Sequence, residues 1–177
     1  IMPSLVGSEM CIRDSAGRAG SIISQMGFRK KKKVIAARSA AELDAMQAAG
    51  EIVGRALQNV KAAATPGATT LDLDHVAEQT IRDAGAVPAF KGYEGFPGSI
   101  CSSVNDMIVH GIPSADEVLK EGDLVSIDCG AILDGWVGDS AWTFAIGDIS
   151  EQHDRLNRAT EWVLMDCLLY TSPSPRD

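Results

Sequence analysis

From residue 39 onward the chain passes through a succession of helical and strand-like hydrophobic patterns. Leu43, Met46, Gly50, Val53, Leu57 and Val60 recur every three or four positions, which predicts a helix over about 40–63 with one apolar face. Ser39, followed three residues later by Glu42, is a capping-box pair at its start. Thr65-Pro66-Gly67 ends it. A second helix, capped by Thr69 or Thr70, carries Leu73, Val76, Ala77, Thr80 and Ile81 on one side and stops at Gly85. Its Asp72, Asp74, His75 and Glu78 read as the solvated face.

Beyond Gly85 the period changes. Val87 to Tyr93 is short and extended, and a glycine-rich GYEGFPGS follows. Ile100 to His110 has strand character, with the polar pair Asn105-Asp106 suggesting a hairpin turn within it. Glu121-Gly122-Asp123 is a turn. Leu124 to Cys129 then reads as a buried strand, and Trp136 to Ile146 as its partner across a tight turn at Asp134-Gly135. Residues 150–166 form a third amphipathic helix, with Leu156, Ala159 and Val163 on one face.

Composition narrows the picture. The chain has 177 residues, 45% of them hydrophobic, enough for one domain with a substantial core. Its formal net charge of -8 hides an asymmetry: Arg29 to Lys33 reads RKKKK, whereas residues 34–166 hold 21 acids against 8 Lys and Arg. An acidic body argues against DNA binding and is compatible with attraction of metal cations or free amino termini. Cys11, Cys101, Cys129 and Cys167 show no CxxC spacing, and Cys101 and Cys129 sit in apolar runs as buried thiols. No stretch reaches the roughly 18 apolar residues of a membrane helix, and no signal-type segment follows the lysines. Residues 1–33 read as a non-core leader with Met26 as a plausible start. Ile1 to Ser15 and Cys167 to Asp177 resemble translated sequencing-adaptor read-through.

The candidate chemistry lies in the strands. A two-residue turn at Asp134-Gly135 would set Asp128 opposite Ala141 and make Asp139 its diagonal neighbour on the same sheet face. Two inward carboxylates on a buried hairpin repel and are poorly solvated, and a shared divalent cation relieves both problems. They would equally serve as capping or turn aspartates at a sheet end. His110, followed by Gly111, suits either a cleft or a hydrogen-bonded strand end.

The segments PAFKGYEGFPGSIC, VNDMIVHGIP, LKEGDLVSIDCGAILDGW and GDSAWTF identify a family. From about Val34 through Glu161 the chain resembles the first half of a bacterial type 1 methionine aminopeptidase. The resemblance implies an α+β pita-bread fold, here incomplete: an antiparallel sheet with covering helices, residues 34–166 being the N-terminal half of the catalytic domain. It also implies two divalent metal ions (Co, Mn, Fe or Zn), with Asp128 and Asp139 matching the first two metal-binding aspartates. His110 matches the histidine that contacts substrate, and Tyr93, Phe96, Cys101 and Phe90 fall where the family lines its methionine pocket. The implied reaction is cytoplasmic removal of the initiator methionine from nascent polypeptides whose second residue is small.

The family's remaining ligands, a second histidine and two glutamates, are not matched; His153 and Glu151 lie in a helix start with an ordinary surface pattern. The chain as written is therefore expected to lack useful peptidase activity and to expose an apolar sheet edge. Val137, Met107-Ile108 and Trp142 depart from the family pattern, and Trp142 would crowd the site if it faced inward. Two other readings remain: a related aminopeptidase acting before proline, and a non-catalytic binding module whose Lys30 to Lys33 touch the ribosome.

Overall fold

A computed structural model describes residues 37–169. The basic run, with Lys30 to Lys33, and the segment after residue 169 lie outside them.

Helix α1 spans Ala40–Ala63, and its capping box forms as the sequence predicts. The Glu42 amide donates to Ser39 Oγ at 3.3 Å, and the Ser39 amide donates to the Glu42 carboxylate at 2.8 Å. Helix α2, Thr70–Asp83, repeats the device with Thr69 and Asp72, which settles the cap on Thr69. The buried face of α1 is Ala49, Ile52, Val53, Ala56, Leu57 and Val60. Leu43 and Met46, expected on that face, are 53% and 41% exposed. The helix meets the sheet where its side chains are smallest, so burial starts at Ala49 and the first two turns stay in solvent.

Four strands form one antiparallel sheet: β1 Val87–Pro88, β2 Ile100–Val104, β3 Leu124–Leu133 and β4 Trp136–Ala145. Strand β3 is central. It pairs with β4 along one edge, from Leu124↔Ala145 to Leu133↔Trp136, and with β2 and then β1 along the other. Asp134 and Gly135 take φ of 49° and 83°, the two left-handed residues of a type I′ hairpin turn.

Side chains alternate across this ladder. Ile100, Val125, Ile127, Cys129, Ala131 and Phe144 point to one face and join Val53, Val60, Leu73, Ala77 and Ile81 of the two helices in a single core. The approach is closest at Gly138, where a Cβ would stand 2.6 Å from the Ala49 backbone. Only glycine lets the helix lie on the strand there.

Two expectations need correcting. Of the strand character expected over Ile100 to His110, the first arm forms as far as Val104 and the turn at Asn105-Asp106 forms, but no second strand follows over residues 107–110. Asn105 turns the chain at φ 54°: its backbone amide makes a last bond to the Leu124 carbonyl at 2.9 Å, and its side-chain amide bridges Asp123 and the Leu124 amide. Met107, Ile108 and Val109 are exposed, Ile108 by 89%. The third helix forms as α3, Glu151–Leu169, but its apolar face is not covered among the described residues: Leu156, Trp162, Val163 and Leu168 are all exposed.

The Gly138 contact yields a test. Gly138→Ala forces α1 away from β4 and is expected to lower stability by about 1–3 kcal/mol, the usual penalty for overpacking. Urea unfolding followed by circular dichroism checks it; Gly50→Ala, at an exposed mid-helix position with open space around it, is the control and is expected to raise stability by up to about 1 kcal/mol.

Candidate metal centre

The hairpin register places the carboxylates. Asp128 lies opposite Ala141, and Asp139 lies opposite Gly130, so the two acids are diagonal neighbours on one face, with no bulge at Gly138. It is the face turned away from the helices. On the other side of β3, Cys101 is directly opposite Asp128 and shares that face. Phe90 joins them, because a Cβ on Gly130 would stand 2.8 Å from its ring. The bare backbone of Gly130, opposite Asp139 and two residues from Asp128, is the floor on which this ring lies.

His110 arrives by another route. It has φ 59°, a conformation that β-carbon-bearing residues adopt at a cost and that clusters at functional positions. Gly111 holds it there: its carbonyl accepts from the Ser102 amide at 2.9 Å and its amide donates to Ser103 Oγ at 3.1 Å. A Cβ on Gly111 would overlap the Ser102 carbonyl. His110 is thereby pinned against β2, close enough for its charge to act on Asp128.

Burial raises the Asp128 carboxyl above its ordinary range, and the neighbouring Asp139 raises it further, while His110 pulls the other way. Burial, reinforced by Asp128 and Asp139, pushes the Cys101 thiol up to about 12, so it stays protonated and apolar in character. A cation beside these carboxylates would remove their mutual repulsion, and the oxygen donor set fits a divalent ion. Among the described residues no group of three or more His, Cys, Asp and Glu side chains forms a fuller cage. Asp139 is exposed and Asp128 half-buried, so the expectation of two inward carboxylates on a buried hairpin is corrected: this face of the sheet is open in the described residues.

The remaining candidates fall unevenly. Phe96 is buried, outside the main core. Tyr93, in the short 3-10 turn Tyr93–Gly95, is 58% exposed. Trp142 pairs with Ile127 and packs against the core, so it does not crowd the carboxylates. His75 is exposed on α2, in an open groove of about 960 Å³ between α1 and α2. Arg55, Asn59, Gln79 and Asp83 also line that groove, which holds none of the residues on the carboxylate face.

Asp74 was expected in solvent and is not. It is 3% exposed, and its Oδ1 accepts the Ser99 amide at 2.6 Å and the Ile100 amide at 3.0 Å. Its position directly after the buried Leu73 was the available signal, and an apolar-periodicity reading passes over it. Gly130 and Ser103 were likewise missed, since a floor glycine and a backbone-holding serine have no sequence pattern of their own.

A sequence profile of metallopeptidase family M24 matches residues 44–173. The chain belongs to this family. It is 57% identical over 129 residues to methionine aminopeptidase 1 of Mycobacterium tuberculosis, covering 73% of this chain and 48% of that protein. It is 54% identical to the methionine aminopeptidase of Clostridium acetobutylicum, covering 68% and 48%. The crystal structure of methionine aminopeptidase from Thermotoga maritima superposes with a TM-score of 0.73 at 38% identity, over 75% of this chain and 53% of that one. The chain thus spans about half the length of the curated relatives it matches, and its α+β architecture is the corresponding part of the pita-bread fold. No helix among the described residues is long and apolar enough to cross a membrane.

One ion pair of this M24 chain sets a pH dependence. The hydrogen bond from Lys91 Nζ, at 2.6 Å, draws Glu78 down to about 2 from an ordinary 4.5, against a burial effect that raises it; Arg82 adds to the pull. Because the folded value lies below the unfolded one, this contribution is present above about pH 4.5 and is lost as pH falls towards 2. Glu78→Gln is expected to cost about 1 kcal/mol at pH 7, given partly exposed partners, and nothing near pH 2. Urea midpoints of both proteins across that range measure the difference.

Proposed function

We propose that residues 34–166 are the N-terminal half of the catalytic domain of a methionine aminopeptidase, a cytoplasmic enzyme that removes the initiator methionine from nascent chains. What supports this most is the convergence of Asp128, Asp139, Cys101 and Phe90 on one open sheet face, in a chain whose relatives are methionine aminopeptidases.

In this reading Asp128 and Asp139 hold divalent metal, two ions by the family resemblance. The metal supplies positive charge that polarises a peptide carbonyl and acidifies water. The chain's own residues do the rest. His110 donates a hydrogen bond to charge developing on the carbonyl oxygen. Phe90, Phe96 and Cys101, with Tyr93 at the rim, offer aromatic and thiol surface without charge, which suits an unbranched thioether. Among the described residues this face presents two carboxylates, too few to hold a dinuclear centre firmly, so the 177 residues alone are expected to turn over no peptide.

A chimera tests the reading. Residues 34–166 joined to the C-terminal half of the Mycobacterium tuberculosis relative are expected to release methionine from Met-Ala-Ser and to leave an Ala-Pro peptide intact. In that chimera Asp139→Ala should lower kcat/KM by at least about a hundred-fold, more than a supporting residue of a metal site costs. Cleavage before proline without methionine release would reassign the substrate, and methionine release by the 177 residues alone would end the claim of inactivity.

The leader carries a second, electrostatic role in this proposal, with Lys30 to Lys33 contacting ribosomal RNA. Co-sedimentation with ribosomes should weaken with salt and disappear when these lysines are made neutral. Unchanged co-sedimentation would remove the leader from the account.

A further inference from the structure

Helix α2 bonds to both ends of residues 91–100, the segment that joins Phe90 and Cys101 of the carboxylate face. Asp74 and Glu78 are one turn apart, so their side chains project from neighbouring points of one helix flank. Glu78 takes Lys91 Nζ at 2.6 Å, at the start of the segment. Asp74 takes the Ser99 and Ile100 amides at 2.6 and 3.0 Å, at its end. Between these anchors the chain folds on itself: the Tyr93 amide donates to the Phe90 carbonyl, the Phe96 amide to the Tyr93 carbonyl and the Gly92 amide to the Phe96 carbonyl. Phe90 directly precedes one anchor, and Cys101 directly follows the other.

We propose that Asp74 and Glu78 are positioning residues for the side-chain pocket, clamping residues 91–100 so that Phe90, Phe96 and Cys101 stand at a fixed place beside Asp128 and Asp139. The assignment of that pocket to methionine rests on the function proposed above; the clamp itself does not.

The burial and spacing support a positioning role over general packing. Among the described residues Asp74 has no cationic partner, and its bonds run to two backbone amides of the segment. Such charge-assisted bonds are strong, and losing them would leave two amides unpaired beneath the strand start. The clamp also reaches the histidine loop. A Cβ on Gly98 would stand 3.1 Å from Asp74 Oδ1 and 3.0 Å from Pro113 Cδ, so the end of the segment is wedged between α2 and the turn that follows His110. Displacing residues 98–100 would therefore disturb Cys101 and His110 together.

The test reads thiol labelling and amide exchange in the 177-residue chain, with no need for turnover. Native Cys101 and Cys129 are both buried, on opposite faces of the sheet. In Asp74→Ala, peptide-resolved iodoacetamide labelling is expected to rise about ten-fold or more at Cys101 and to stay unchanged at Cys129, the scale of effect of a lost charge-assisted hydrogen bond. Asp74→Asn should restore native labelling, because both bonds converge on one oxygen that an amide carbonyl can replace. Glu78→Gln should accelerate exchange of the Gly92 and Phe96 amides well beyond the uniform acceleration that its small loss of global stability gives α1.

Equal acceleration at Cys101 and Cys129 would mean general destabilisation and overturn the proposal, as would Asp74→Asn behaving like the alanine variant. Should the alanine variant fail to fold, Glu78→Gln decides alone through exchange. Acceleration at residues 91–100 in excess of that in α1 supports the clamp, and equal or unchanged exchange in the two rejects it. Titration with L-methioninamide, followed by amide shifts at Phe96 and Cys101, separately tests the methionine assignment. A clamp with no such shifts would leave the positioning role standing and remove the methionine reading.

Discussion

Everything chemical in this protein depends on the register of one hairpin. The β3–β4 ladder closes over Asp134 and Gly135 with two left-handed residues, a geometry that permits a two-residue loop and fixes which side chains face each other. Asp128 and Asp139 share a face only in that register. A slip of one residue would carry Asp139 to the helix side of the sheet, among Cys129, Ala131 and the alanines of α1. The apolar residues of β3 oppose such a slip, because Val125, Ile127 and Cys129 would trade core contacts for solvent. The hydrophobic effect therefore holds the carboxylates in place without touching them.

The two faces of the sheet are built by opposite means. On the helix side, small residues and Gly138 let α1 come down to backbone contact, and the core fills from Ala49 onward. On the carboxylate side, Gly130 clears a floor for the Phe90 ring, and Gly111 brings the His110 loop against β2. Glycine does the same work on both faces, removing a β-carbon where two pieces of backbone, or a ring and a backbone, must meet. The family assignment gives these absences a meaning that their local sequence does not carry.

Most of the architecture was legible along the chain. The Ser39 capping box, the two long helices, the hairpin turn and the pairing of Asp128 with Ala141 follow from local rules that operate within a few residues. The errors share one cause. Leu43 and Met46 satisfy the helical period but lie beyond the sheet they would cover. Met107 to Val109 have strand composition but no neighbouring strand to bond. Asp74 satisfies a polar-face pattern yet lies against a segment 25 residues away. Periodicity reports which side of an element is apolar, not what stands opposite it.

The sequence by itself determined the elements, the turn, the parity of the carboxylates and the family resemblance, because each rests on spacing between near neighbours. Only the tertiary structure decided that Asp74 and Glu78 bond to the two ends of residues 91–100, that Trp142 turns to the core and that Asp139 stands in the open. Those facts depend on contacts between distant parts of the chain, set by how closely α1 and α2 settle on the sheet. That distance is a property of packed volumes and missing β-carbons, and no local pattern encodes it.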